Sequence, residues 1–518
     1  MAKCEVHIAI AVFLALILII MPTECVGEDQ ALEQLINMFE KKGLLSASEA
    51  GLVRQTLEKE TEKLQKKEKE VEEKERALLK KEEELKAKEE ALQEKTAVSS
   101  KAEKPQAADK APGKEDKLKV SYEDGLCLST QEPYEFSLCL GGLLQADYQY
   151  FDYGDEDVSK DRFDIRRARL LIQGKVLKYF DYKFQYEFQG AQSRNLLDAY
   201  ADVNALKAAS FRIGQFKEPF GLEQSTDIKN WVFAEASPVY YLSPSRDVGL
   251  MAHASLWNDR VNYAIGIFNG DGPDDAVGGD EDALQVTGRV VFSPFRTMNL
   301  PPLENLQLGG SFSHADIDRN NVSINIKTPG LTTFFSVASA AKYRIIRDAD
   351  TCDRYDVELG WAYGPVALMA EYARVYYDNV QTSAEQFDID LDAWYVSLLW
   401  MITGEKPSFR QGVFRAIEPA HSVFQGGWGA LGLALRYSAF QTDEGVYQYL
   451  VTQGDSVRKA DSYSIALNWW LNRFARLIID YTRTDFDSPL LIARDPLTGT
   501  AVYSDHENII TGRFQFQF

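Results

Sequence analysis

The chain has 518 residues, of which 45% are hydrophobic and 12% aromatic, and a formal net charge of −21. That hydrophobic share excludes wholesale disorder, the charge argues against nucleic acid as a partner, and beyond residue 21 no apolar stretch is long enough for a membrane helix. Five Cys and five His form no CxxC or clustered-His pattern, so neither a structural metal nor a cofactor is expected.

Residues 1–27 read as an export signal. Lys3 gives a thin positive start, Ile8 to Met21 is unbroken apolar sequence, and Cys25-Val26-Gly27 after Pro22 offers a cleavage site. An uncleaved anchor is the competing reading, but the run is short and its downstream flank is acidic. Residues 28–95 form an α-helical arm. Leu32, Leu35, Ile36 and Phe39 share one face of a first helix, Gly43 sits where a C-cap belongs, and Ser46-Ala47-Ser48-Glu49 is a capping box opening a second helix. Leu57, Leu64, Val71, Leu78, Leu85 and Leu92 recur every seven residues, whereas the other core position is Glu at 68, 75, 82 and 89. Half a seam fits either a weak coiled coil or a lone helix supported by i,i+4 pairs such as Glu62–Lys66. As one helix, Ser46 to Lys95 would span about 75 Å, long enough to contact the cell wall across much of a periplasm. Residues 96–118, with Pro105 and Pro112, read as a disordered linker.

From 119 to 518 the period changes to two. Phe136, Leu138, Leu140, Leu144, Ala146, Tyr148 and Tyr150 share one face, with Ser137, Gln145, Asp147 and Gln149 on the other; Tyr182, Phe184, Tyr186 and Phe188 alternate with Lys183, Gln185, Glu187 and Gln189. Strands of about ten residues with an aromatic-bearing apolar face and a charged opposite face fit a membrane barrel around a wet lumen better than a soluble sandwich. Such strands must close on themselves in lipid. Roughly 400 residues at about 25 per strand and its connections give about 16 antiparallel strands. The chain stops on Phe518 at the end of an alternating run Ile510, Gly512, Phe514, Phe516, the kind of terminal strand that outer-membrane barrels present. The fold expected is therefore an all-β transmembrane barrel preceded by an α-helical or coiled-coil arm, placed in a bacterial outer membrane with the arm in the periplasm. Cys127 and Cys139 either pair in that oxidising compartment or stay as two thiols.

Residues 136–518 resemble the phosphate-selective porin O and P family. The likeness is carried by Phe163-Asp164-Ile165-Arg166-Arg167-Ala168-Arg169-Leu170 and, most specifically, by the segment from Phe211-Arg212-Ile213-Gly214-Gln215-Phe216-Lys217 to Glu218-Pro219-Phe220-Gly221-Leu222-Glu223. Ser243-Pro244-Ser245-Arg246-Asp247-Val248-Gly249, Ala264 to Gly270 and Gly426 to Tyr437 add to it. The resemblance implies a homotrimer of 16-stranded barrels in outer-membrane lipid, each narrowed by an inward loop and passing small anions such as phosphate.

Arginine suits such solutes because its planar fork donates paired hydrogen bonds and stays charged. Dyad counting places Arg167, Arg169, Lys175, Lys183, Arg289 and Arg436 on lumen faces; Lys217 precedes Pro219, where the chain should leave the wall, and Arg212 and Arg246 flank the loop. These nine are the candidate anion path. Asp147, Glu187, Asp198, Asp202, Glu358 and Glu371 also face inward, so the same bases serve equally well as structural ion-pair partners. The loop segment 224–242 carries Trp231, Phe233, Tyr240 and Tyr241 with Lys229 as its one base, and a constriction made of those aromatics suits general solutes. The alternative is thus a general or cation-tolerant porin whose main role is to tether the outer membrane to the cell wall. An enzyme is not expected, because His253, His314, His421 and His506 are scattered and none lies beside a Ser in a nucleophile elbow.

Overall fold

A computed structural model describes residues 119–518 apart from 123–124, 131–135, 154–159, 178, 191–194, 207, 271–283, 317–323, 338–348, 382–385, 450–453 and 495–500. The expected export signal, helical arm and linker (1–27, 28–95, 96–118) lie outside the described residues. The wall is built of sixteen antiparallel strands: β1 Phe136–Asp152, β2 Lys160–Val176, β3 Phe180–Glu187, β4 Leu196–Leu206, β5 Ala209–Lys217, β6 Arg246–Leu256, β7 Val261–Phe268, β8 Gln285–Phe292, β9 Gln307–Asp316, β10 Thr351–Tyr363, β11 Val366–Gln381, β12 Gln386–Met401, β13 Ala430–Thr442, β14 Lys459–Trp470, β15 Ala475–Arg494 and β16 Ala501–Gln517. Each pairs with its chain neighbour, and β16 closes on β1, Ile510 opposite Tyr150 and Phe514 opposite Ala146. Closure leaves no unpaired edge for lipid to meet.

The period-two pattern sorts as expected. Tyr148, Phe184, Leu250, Val357, Trp400 and Phe514 face outward, while Gln145, Asp147, Thr287, Ser313 and Arg513 are buried inside. On five successive strands Tyr372, Trp394, Tyr437, Tyr463 and Tyr481 point outward, with Trp394–Tyr437 and Tyr437–Tyr463 centroids both 5.1 Å apart. Such a row is the aromatic girdle of a membrane interface. Outward charge begins just beyond it, in the Arg374–Asp390 and Arg483–Asp485 pairs. Connections such as 364–365 and 471–474 are short at one end, which in outer-membrane barrels faces the periplasm, and longer at the other.

Three departures from a simple wet barrel appear. First, the described residues before β1 are not wall. Lys119–Tyr122 and Leu126–Ser129 form a hairpin whose inner strand pairs with Ser137–Leu140 of β1, just below the point where Gly142 and Phe518 exchange backbone hydrogen bonds and β16 ends. Cys127 and Cys139 lie directly opposite each other in that pairing and form a disulfide. Second, the β9–β10 connection sends a hairpin, Ile324–Lys327 and Thr333–Val337, into the lumen. Its Ile326, Phe334 and Phe335 are fully buried with inward-facing Val375, Leu391, Phe440 and Phe486, and Glu507 of β16 accepts hydrogen bonds from Thr328 and Thr332 in its turn. Much of the β10–β15 side is therefore dry and apolar rather than a charged water face. Third, the long turn-end connection 402–429 carries a tiny ladder, Phe409–Arg410 with Val413–Phe414, whose two Phe are buried and whose Gly412 carbonyl accepts from Arg289 and Gln307 on the wall.

Candidate functional site

The site forms where β5 ends and the chain leaves the wall. Lys217 is the last residue of β5 and Arg246 the first of β6, paired in register; residues 218–245 between them fold into the lumen. Gly221 makes the first bend possible. Its φ is +57°, and a Cβ there would lie 2.2 Å from Glu371 Oε1, so only glycine gives this backbone its room. Glu371 uses that closeness to accept from the amides of Leu222 and Glu223 at 3.1 and 2.9 Å. Glu223 in turn meets Arg436 at 3.4 Å and Ser237 Oγ at 2.6 Å.

The far limb of the loop is pinned by the opposite wall. Glu235 receives Arg166 Nε at 2.8 Å, Arg167 Nη2 at 3.2 Å and Arg513 Nη2 at 2.6 Å, and Arg513 also grips Asp147. Burial alone would raise this loop carboxyl, but Arg167, Arg513 and Arg166 together hold it well below the usual carboxylate range. Main-chain contacts extend the seam, with Asp480 accepting from Ala234 N at 2.8 Å, Asn468 donating to Val232 O at 2.9 Å and Gln515 donating to Lys229 O at 3.0 Å. Trp231 and Phe233 are buried against this wall, under Arg167 and Arg436 at 5.7 and 4.2 Å from their ring centroids. The expectation that loop aromatics build the constriction is corrected for Trp231 and Phe233, which secure the loop to the wall.

On the other side of the loop a chamber of about 410 Å³ remains, and it brings together Arg169, Lys183, Arg212, Lys217, Arg246 and Arg289 with Asp198, Glu218 and Asp227. Six of the nine candidate bases therefore converge. Arg167 and Arg436 instead hold the loop, and Lys175 lies at the turn end of β2 beside Asp181 at 3.2 Å, outside the chamber lining. Structural pairing is extensive. Arg169 meets Glu187 at 2.7 Å, Lys183 and Arg246 share Asp198 at 2.9 and 2.8 Å, Arg212 meets Asp202 at 2.7 Å, and Arg289 meets Glu358 at 2.6 Å. Lys217 differs. Its ammonium donates to the carbonyls of Gln224 at 2.8 Å and Thr226 at 3.5 Å, with no carboxylate within ion-pair distance among the described residues. Glu187, Asp202 and Glu358 do not line the chamber; they stand behind its guanidinium groups and fix their orientation.

Two residues escaped sequence reasoning. Arg166 should face lipid by dyad count, but the ladder passes from Gln145–Arg167 to Ala146–Ile165, a bulge that turns both arginines inward. Two adjacent Arg in an alternating strand were the available signal. Glu235, hub of the loop clamp, sits in a segment whose register nothing in the sequence specifies.

The family model described as phosphate-selective porin O and P matches residues 136–518. Porin O of Pseudomonas aeruginosa is 25% identical over 401 residues, covering 71% of this chain and 87% of that protein. Among solved structures the chain is similar to the outer membrane channel DcaP of Acinetobacter baumannii, at 13% identity over 74% of this chain and 97% of the other with a TM-score of 0.45. It is also similar to an anion-selective porin from Comamonas acidovorans, at 13% identity over 74% and 100% with a TM-score of 0.43. A match over this barrel, inward loop included, places the chain in the phosphate-selective porin O and P family of outer-membrane porins.

Proposed function

We propose that this porin forms a water-filled path across the outer membrane for the passive diffusion of small anions, phosphate among them. The observation that carries the reading is the chamber lining, where six bases meet three carboxylates and Lys217 has no carboxylate partner among the described residues. A solute in such a path exchanges its water for N–H donors held in place, and leaves because each contact is shared with a neighbour. The carboxylates behind the lining set a limit. Counting Glu187, Asp202 and Glu358 with the three that line the chamber, acids balance bases. A moderate anion preference follows, with contact chemistry rather than a large net field favouring oxyanions. Association as a homotrimer belongs to the same proposal and is read by native mass spectrometry. The test of the solute is phosphate titrated against chloride current in a planar bilayer. Phosphate lowering the chloride current in a saturable way supports the reading, and current that simply adds with phosphate concentration favours a general porin.

A further inference from the structure

Below the chamber lies further space on the same side of the inserted loop. A second cavity of about 80 Å³ shares Arg169, Gln185 and Asp227 with it and ends against Phe474, Gln517 and Phe518 at the turn end of the barrel. Besides the carboxylates Asp227 and Glu418, its lining carries two bases, Lys229 and Arg473, that were no part of the candidate path. Lys229 stands on the inserted loop, its carbonyl held by Gln515 and, at 3.4 Å, by Arg476. Arg473 stands on the β14–β15 turn. Neither has a carboxylate within ion-pair distance among the described residues, so both keep donors for water and solute, unlike the paired arginines above them.

Arg473 is also held from outside the barrel wall. Its Nη2 donates to the Tyr122 carbonyl at 2.6 Å, and its guanidinium lies 4.5 Å from the Phe474 ring centroid and 5.9 Å from that of Tyr122, which itself packs edge-on against Phe474 at 5.3 Å. Tyr122 belongs to the outer strand of the hairpin, directly opposite Leu126, and the next residue, Cys127, is cross-linked to Cys139 of β1.

Resting on the anion reading above, we infer that this second cavity is the exit station of the path, in which Lys229 and Arg473 receive anions from Arg169. In the same inference, the disulfide-locked hairpin is the positioning element that keeps Arg473 over the exit. Selectivity is then set twice, at the chamber and at the exit, and the exit depends on a segment that precedes the barrel wall.

The test uses the full chain in planar bilayers at about 0.1 M salt, where fixed charges are screened less than at about 1 M. Each variant is first checked for heat-modifiable barrel migration on gels. Arg473→Glu and Lys229→Glu are each expected to lower the anion-to-cation permeability ratio by roughly twofold or more and to alter current rectification, because a reversed charge beside the path acts at short range. Arg473→Lys, which keeps the charge but not the guanidinium hold on Tyr122 and Phe474, should shift the ratio far less than Arg473→Glu. Lys175→Glu makes the same charge change at the same end but lines neither cavity, and should leave the ratio nearly unchanged. The pair Cys127→Ser/Cys139→Ser should shift the ratio in the same sense as Arg473→Glu but less, and add nothing when combined with it. If Lys175→Glu matches Arg473→Glu, the effect is general rim potential and the exit station is refuted. If the double Cys variant conducts like the wild type, the positioning role is refuted. A wild-type channel without anion preference overturns the function proposed above and this inference together, whereas anion preference with an inert Arg473→Glu overturns this inference alone.

Discussion

Replacing Glu235 with Ala would remove the one loop carboxylate on which Arg166, Arg167 and Arg513 converge. Arg167 and Arg513 are at most 5% exposed, so two guanidiniums would be left buried and facing each other, with Asp147 as the one carboxylate still paired to Arg513 and neutral acceptors, Gln145 and the Ala234 carbonyl, for the rest. Breaking a buried ion pair from one side costs roughly 3–5 kcal/mol; Arg166 is 28% exposed and adds little to that. At about 1.4 kcal/mol per tenfold, the docked loop loses roughly a hundredfold to several thousandfold of its preference over undocked forms. The main-chain bonds of Val232 and Ala234 remain, so the loop should sample undocked positions rather than leave the lumen. Single-channel recording should show a larger mean conductance with added flicker, and Glu235→Gln, which keeps a hydrogen-bond acceptor, should fall between. Conductance and noise equal to wild type in Glu235→Ala would show that the clamp does not hold the loop.

At the other end of the loop, Gly221→Ala should be more damaging than its size suggests. The left-handed backbone there costs a side chain about 1–3 kcal/mol, and the new methyl would displace Glu371 from the amides it receives; reduced trypsin resistance of the loop would report it. Selectivity should also depend on pH through Glu218, the first residue of the inserted loop. Burial, only partly offset by hydrogen bonds from Thr287 and Gln285, pushes its carboxyl up to about 7. With the folded value raised, protonation favours the folded state: the stability contribution is complete below the ordinary Glu range and is lost as pH rises through about 7. The same ionisation puts a negative charge on the chamber, so the anion preference should be larger at about pH 5.5 than at about pH 8.5, and Glu218→Gln should flatten that difference.

The wall was legible because its physics is local. Alternation along each strand decides which side chains meet lipid, and residues such as Tyr182, Phe184, Leu250 and Val357 needed no partner to be assigned. The place where the chain enters the lumen was legible too, since Lys217, Pro219 and Gly221 mark the break, and the resemblance to a porin family pointed to the same residues. What resisted reading was everything that folds back inside. Phe334 and Phe335 look like any short strand until Phe440 and Phe486 are known to face them across a barrel. Phe409 and Phe414 sit in a turn-end connection that general experience expects to be short. Arg513 was visible on the polar face of the last strand, but its tie to Glu235 joins residues 278 positions apart, and only the loop's path brings them together. Cys127 and Cys139 were open in the sequence because their facing geometry depends on a hairpin that pairs beside the seam rather than within the wall.

The measurement closest to the central claim is the reversal potential of the wild-type channel and of Lys217→Glu in a potassium chloride gradient. The account predicts an anion-side potential for the wild type and a clear shift toward the cation side for Lys217→Glu, larger than that of Lys175→Glu. A wild-type potential at zero or on the cation side, or a Lys217→Glu channel indistinguishable from wild type, would contradict it.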